Sequence, residues 1–251
     1  MGPMKAMVLA AGLGTRLRPL TDDRPKALVE LNGRALLEIT LTRLRSYGIR
    51  EVIINVHHFA DQVVDYLRAH DNFGMTIEIS REAELLDTGG GLKRAAHLFL
   101  RDSNDEPFVL HNVDILTNID LEAMLRFHRE HQALATLAVK QRPSSRQLLF
   151  DANGQLCGRR NGHDAAPEIV RPSETAEELG FCGIHILSPN ILPRLDDAEI
   201  FSIIPTYLRV AAAGEPIVAF RADSFYWRDV GSPASLREAA TEVARNNILP
   251  S

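Results

Sequence analysis

The sequence predicts an α/β fold in which a mostly parallel, mixed central sheet is flanked by helices and carries a small β-rich excursion. Two observations point there. Short apolar, β-rich runs alternate with helix-period segments through the first half of the chain, and the alternation gives way to a hairpin pattern after residue 140. In order, "KAMVLAA" reads as a first strand and "LLEITLTRLRSYG" as a helix. "EVIINV" and "ADQVVDYLRAH" repeat the pair, and "MTIEIS" and "GGLKRAAHLFL" repeat it again. "PFVLHN", "LEAMLRFHREH" and "LATLAVK" complete the series. The next segment, "QLLFDANGQLCG", reads as a hairpin with a two-residue Asn153-Gly154 turn. A polar stretch, "RRNGHDAAPEIVRPSETAEE", follows, either lining a cleft or lying exposed as a loop. The chain then resumes with the strand "GFCGIHIL", a helix near "IIPTYLRVAAAG", two short strands in "PIVAFRADSFYWRDVG" and a closing helix from Pro233 to about Asn246. Ligands of such a sheet gather at the carboxyl ends of its strands.

The chain has 251 residues, 45% of them hydrophobic and 24% charged, an ordinary balance for a globular protein with a sizeable core. A net charge of -5 provides no global basic field for nucleic acid, so an anionic ligand must meet local positive charge. Two cysteines, Cys157 and Cys182, are too few for a secreted disulfide framework and have no metal-like spacing, which favours a cytoplasmic location. No apolar stretch reaches membrane-spanning length, and the early first strand leaves no room for a signal peptide. Met1-Gly2-Pro3 carries no structural expectation.

Three constellations carry chemistry. The first, "LAAGLGTRLRPLTDDRPKAL", lacks the Gly-Lys-Ser/Thr ending of a P-loop and the third glycine of a dinucleotide fingerprint. Gly12 and Gly14 let backbone N–H groups approach phosphate oxygens, Thr15 adds a hydroxyl, Arg16 a forked cation and Lys26 a point charge after Pro25. A plain glycine turn with solvated arginines is the alternative. In the second, "VLHNVDILTNID", an apolar strand delivers Asp114 at its carboxyl end, a place suited to Mg²⁺ or to a simple turn; "YWRDVGSP" offers Asp229 as a second carboxylate. The third, "ELLDTGGGLKRA", opens a helix on glycines that let a planar base lie against main chain. His57, His58, His128 and His131 lack a third ligand and read as solvated or core residues.

The opening pattern, together with Asp114 and the Asp-Val-Gly-Ser-Pro motif at Asp229, resembles the sugar-1-phosphate nucleotidyltransferases across nearly the whole chain. The resemblance implies a Rossmann-like nucleotidyltransferase fold forming a single domain over 1–251. A mainly nucleotide-binding half would run through 140, a mainly sugar-phosphate-binding half over 141–231, and a closing helix over 232–251. It also implies that Arg16, Lys26 and Asp114 act in catalysis and that Asp114 and Asp229 share Mg²⁺. Nucleotide contacts would come from Ala11, Gly12, Gly14, Thr15, Arg16, Thr88, Gly89, Gly90 and Asn112, with the base read at 87–90 mainly by backbone. One departure is Asn112-Val113-Asp114 in place of the common Gly-Asp pair. Another is the absence of the Glu-Lys-Pro triplet whose lysine binds sugar phosphate in many relatives. Arg159 or Arg160 in "GRRNGHD" stands near that place, either as the phosphate anchor or as a solvated pair; Asp114 and Gly183 are the other expected sugar-phosphate contacts.

Short relatives without the triplet include the N-acetylmuramic acid 1-phosphate uridylyltransferases, which share a Thr-Gly-Gly-Gly loop and a strand like Phe181-Cys182-Gly183-Ile184. Some mannose- or heptose-1-phosphate guanylyltransferases are similar. The implied reaction joins a nucleoside triphosphate to a sugar 1-phosphate, in a monomer or homodimer without nucleic acid or membrane partners. The chain ends too soon for an appended left-handed β-helix. The rivals are a non-catalytic nucleotide-sugar sensor and an enzyme activating another phosphorylated alcohol, such as phosphocholine, through an aromatic cage.

Overall fold

The computed structural model describes residues 4–101, 105–162 and 164–246, so Met1-Gly2-Pro3, residues 102–104, His163 and the residues after Asn246 lie outside it. In chain order the first strands are β1 (Lys5–Leu9), β2 (Glu30–Leu31), β3 (Arg34–Ala35), β4 (Glu51–Val56), β5 (Thr76–Arg81), β6 (Phe108–Asn112) and β7 (Ile115–Thr117). They are followed by β8 (Ala135–Lys140), β9 (Arg146–Phe150), β10 (Leu156–Asn161), β11 (Glu168–Ile169), β12 (Glu177–Leu187), β13 (Ile217–Arg221) and β14 (Trp227–Asp229). The helices are α1 (Leu36–Ser46), α2 (Ala60–Ala69), α3 (Asp87–Leu100), α4 (Leu121–Glu130), α5 (Ile203–Ala212) and α6 (Pro233–Asn246).

Ala6, Met7 and Val8 are wholly buried, as a strand covered on both faces requires. Strand alternation sends Ala6 and Val8 into one core with α1, α2, α4 and α6, and Met7 into the other with α3 and α5. β1 pairs in parallel with β4 and β6, and β4 with β5, giving the local order β5-β4-β1-β6. The order reverses between β1 and β6, and a crevice opens at their carboxyl ends. Beyond β6 the long β12 turns the sheet antiparallel and pairs with β8 and β9; β13 adds to β8 in parallel and β10 and β11 follow β9, so that ten strands form one sheet among the described residues.

The hairpin turn differs from the two-residue expectation. The strands stop at Phe150 and Leu156, and the Asp151 carboxylate accepts the N–H groups of Asn153 and Gln155, each at 2.9 Å. That side chain stabilises a wider loop, in which Gly154 takes the left-handed conformation at φ 71°. Part of the polar stretch becomes β11, which extends the antiparallel edge by pairing Glu168 with Arg159.

Candidate active site

The loop after β1 is fixed from below. The Asn55 side chain, at the end of β4, accepts the Ala10 N–H at 2.7 Å and donates to Glu82 at 2.7 Å, and Glu82 in turn accepts the Leu86 N–H. Ala11 and Gly12 line a cleft of about 420 Å³ together with Lys26, Asn112 and Asp114. Gly14 holds the return turn at φ 66°, where a Cβ would lie 2.9 Å from Thr21. Its carbonyl accepts the Leu17 N–H and the Thr21 hydroxyl. Thr15–Leu17 then form a 3-10 turn, and Lys26 opens another immediately after Pro25.

Lys26 is ion-paired with Asp114, and both side chains are nearly buried. A separate two-stranded ladder brings the second carboxylate alongside. β7 and β14 pair antiparallel with Asp229 opposite Ile115, and the Val230 N–H donates to the Asp114 carbonyl at 3.0 Å. Asp229 is thus one register step from Asp114, although 115 residues separate them in the chain. Arg16 lies 3.9 Å from Asp229, on the rim of a neighbouring basic cleft, and the Gly231 N–H donates to Asp229 at 2.6 Å. Among the described residues no group of three or more His, Cys, Asp or Glu side chains is placed to hold a metal ion. The adjacent Asp114 and Asp229 carboxylates are hard oxygen donors, suited to a cation that completes its shell with water and phosphate oxygens.

The second glycine loop corrects an expectation. The N–H groups of Gly89 and Gly90 both donate to the Phe201 carbonyl, at 2.9 and 3.2 Å, and so are not free to read a base. Added Cβ atoms at these positions would lie 2.3 Å from the Phe201 ring and 2.2 Å from the Glu199 carbonyl. The unpaired N–H groups of the first turn of α3 need acceptors, and the glycines let segment 199–201 approach closely enough to supply one. Asp87 and Thr88 still line the cleft, while the Thr88 hydroxyl accepts the Ile203 N–H at 3.0 Å and ties α3 to α5.

A second cleft of about 740 Å³ shares Asp87, Thr88 and Asn112 with the first. Asn112 stands between the two, its side-chain oxygen buried without a partner. Gly183, at φ 72°, sits where β12 changes register, and a Cβ there would lie 3.0 Å from the Asn112 amide. Arg159 lines the second cleft, but its guanidinium is held by Glu168 at 2.6 Å; Arg160 is held by Glu178 and by the Ala165 carbonyl. Both are engaged with carboxylates rather than left as free phosphate anchors. The sequence reading passed over Asn55, Glu82 and the basic loop carrying Arg142 and Arg146, which lines the second cleft and the basic one. A cluster of cations and serines just past a strand end, "KQRPSSR", was the available signal for that loop.

The histidines are structural or solvated. His128 is buried, bonded to Thr136 at 2.9 Å and pulled down to about 4 by burial, while His131 is exposed.

The Nucleotidyl transferase family matches residues 5–151. N-acetylmuramate alpha-1-phosphate uridylyltransferase from Caulobacter vibrioides is 35% identical, covering 96% of this chain and 98% of that protein. UTP–glucose-1-phosphate uridylyltransferase from Synechocystis is 29% identical over 98% of this chain, which spans 64% of that protein. Mannose-1-phosphate guanyltransferase from Yarrowia lipolytica is also 29% identical, over 92% of this chain and 61% of its own length. A solved UDP-glucose pyrophosphorylase complexed with UDP-glucose shares the fold with a TM-score of 0.76 at 19% identity, covering 97% of this chain and 99% of that one.

Proposed function

This chain belongs to the nucleotidyl transferase family as a sugar-1-phosphate nucleotidyltransferase, and we propose that it joins UTP to N-acetylmuramic acid 1-phosphate or a similar amino sugar 1-phosphate. The substrate pair rests on the missing Glu-Lys-Pro triplet, the Thr88-Gly89-Gly90-Gly91 loop and the near end-to-end match to the Caulobacter enzyme. GTP with mannose- or heptose-1-phosphate is the second reading, favoured by the match to the Yarrowia guanyltransferase. The observation that carries the site assignment is the meeting of Lys26, Asp114, Asp229 and Arg16 beside the cleft at the carboxyl ends of β1 and β6.

In this mechanism an oxygen of the sugar 1-phosphate attacks the α-phosphorus of the triphosphate. The new P–O bond forms as the bond to the bridging α–β oxygen breaks, and pyrophosphate leaves. Ala11, Gly12, Thr88 and Asn112 position the nucleotide, aided by Gly14 and Thr15 in shaping the loop. Lys26 and Arg16 neutralise charge that develops on the phosphates. Asp114 and Asp229 would hold Mg²⁺, which when bound supplies a further positive charge to the phosphate oxygens. Asn112 and Gly183 bound the acceptor side. The division into a nucleotide half ending near 140 and an acceptor half over 141–231 is supported by the clefts, since the acceptor cleft draws mostly on residues 142–205.

A phosphocholine-type substrate loses support because the Trp227 ring face already carries the Arg142 guanidinium, 4.3 Å from its centroid. Among the described residues no helix is long and apolar enough to cross a membrane, and both cysteines are free and buried.

The test measures pyrophosphate release from each common NTP against a panel of sugar 1-phosphates, with and without Mg²⁺. UTP with an N-acetylated amino sugar 1-phosphate should be the best pair. Exclusive use of GTP with mannose- or heptose-1-phosphate would select the second reading. For the metal, Asp114→Asn and Asp229→Asn should each weaken the Mg²⁺ dependence, and the double variant should be little worse than the worse single one. Additive losses with an unchanged Mg²⁺ response would rule out a shared ion.

A further inference from the structure

Arg142 lies on the loop that leaves the carboxyl end of β8, where the acceptor cleft meets the basic cleft beside Asp229. Its guanidinium is clamped. One face lies over Trp227, Nη2 donates to the Phe181 carbonyl at 2.7 Å, and Nε is buried without a partner. Trp227 is itself fixed, because its indole N–H donates to the Cys182 carbonyl at 2.8 Å and it stands two positions before Asp229 in β14. Gly180 leaves the room, since a Cβ there would lie 2.7 Å from the arginine side chain.

Charge compensation separates this arginine from its neighbours. Arg159, Arg160 and Arg228 are each paired with a glutamate, and Arg16 faces Asp229. Among the described residues Arg142, Arg146 and Lys140 have no carboxylate ion-pair partner, so the basic cleft holds a local positive surplus on a chain of net charge -5. Of the five N–H groups of this guanidinium, one on Nη2 goes to Phe181 and one on Nη1 to Pro143 at 3.4 Å, which leaves one N–H on each terminal nitrogen for the oxygens of a phosphate.

We propose that Arg142, held by Trp227 and Phe181, anchors the phosphate of the acceptor, the task left open by the missing triplet lysine and by the glutamate-paired Arg159 and Arg160. Lys140 and Arg146 add to the field that draws the dianion in. The proposal rests on the sugar-1-phosphate reading above, and its test separates the two.

Trp227 is the only tryptophan in the chain, so its fluorescence reports on this site directly. Wild type, Arg142→Ala, Arg142→Lys and Arg159→Ala are titrated with N-acetylglucosamine 1-phosphate and with inorganic phosphate, by fluorescence and by calorimetry, after melts confirm folding. Arg142→Ala should weaken binding of both probes by about tenfold or more, with Arg142→Lys intermediate and Arg159→Ala affected less. In turnover, the acceptor KM should rise by a similar factor for N-acetylglucosamine 1-phosphate and N-acetylmuramic acid 1-phosphate, with the NTP KM unchanged. Unchanged binding in Arg142→Ala overturns the proposal. So does a loss confined to the muramic acid substrate, which would make Arg142 a reader of the sugar's carboxylate, or a rise in the NTP KM alone. If wild type binds the sugar phosphate in an Arg142-dependent way yet releases no pyrophosphate with any NTP, the transferase reading fails and the anchor stands.

Discussion

Lys26 and Asp114 hold one another at the mouth of the nucleotide cleft, with side chains only 13% and 14% exposed. An ion pair so placed orders both groups before substrate arrives. Lys26 also occupies the first position of a 3-10 turn, where alanine is readily accommodated, so Lys26→Ala should remain folded. Its turnover should fall by about two decades or more, the effect of removing one group aimed at developing charge. Steady-state kinetics at saturating substrates check this, and near-wild-type kcat would remove Lys26 from the chemistry. Lys26, Asp114 and Asp229 were readable because each sits in a distinctive local string. Asn55 was not: inside "EVIINV" it reads as one more strand residue, and only the fold reveals that it holds the Ala10 N–H across 45 positions. Arg142 was hidden for a related reason, since its stack on Trp227 joins segments far apart in the chain.

The entry of α3 shows how a helix can be located correctly while its glycines are misread. Periodicity found the helix and its start at the Thr-Gly-Gly-Gly run, but glycine in sequence does not say whether ligand or protein fills the space it leaves. Here protein fills it. Gly89→Ala should therefore destabilise the fold by about 1–3 kcal/mol through overpacking, with a lowered Tm. Phe201→Leu should be less sensitive to the same change, because the ring that a Cβ would strike is gone. An unchanged Tm with a raised NTP KM would return Gly89 to the ligand. The same distinction explains the hairpin. Asn153-Gly154 marked the turn, yet Asp151 set the loop length through bonds to Asn153 and Gln155 that no dipeptide signal encodes. Of the β7–β14 ladder only β14 was legible, as one of the two short strands in "PIVAFRADSFYWRDVG"; β7 and the pairing, three residues long on each side, are closed only by tertiary contact.

Behind the clefts the sheet encloses three imidazoles that no ligand reaches in this mechanism. His111 and His185 lie on the neighbouring strands β6 and β12, and His128 packs from α4 onto β8. Burial pulls His111 and His185 from 6.5 to about 3, His111 being opposed further by the Arg43 charge and His185 by any proton on His111, and burial takes His128 to about 4. His185 meets the Tyr207 hydroxyl at 2.7 Å, so it has a partner in the neutral form. A pKa lower in the folded chain means that the unfolded chain binds more protons over the interval between the two values. Stability is then fully present above 6.5 and is lost as pH falls from there towards 4 and 3. By pH 5 each such histidine should have withdrawn about 2 kcal/mol, in a range where most carboxylates remain ionised. Melts at pH 7.5 and pH 5 should therefore show a marked drop in Tm for wild type. His128→Gln should lower the Tm at neutral pH through lost packing yet shrink the difference between the two pH values, because the group that would be forced to protonate is gone. A difference of the same size in that variant would show that His128 titrates alike in the folded and unfolded chain, and that its burial does not govern the acid sensitivity of the fold.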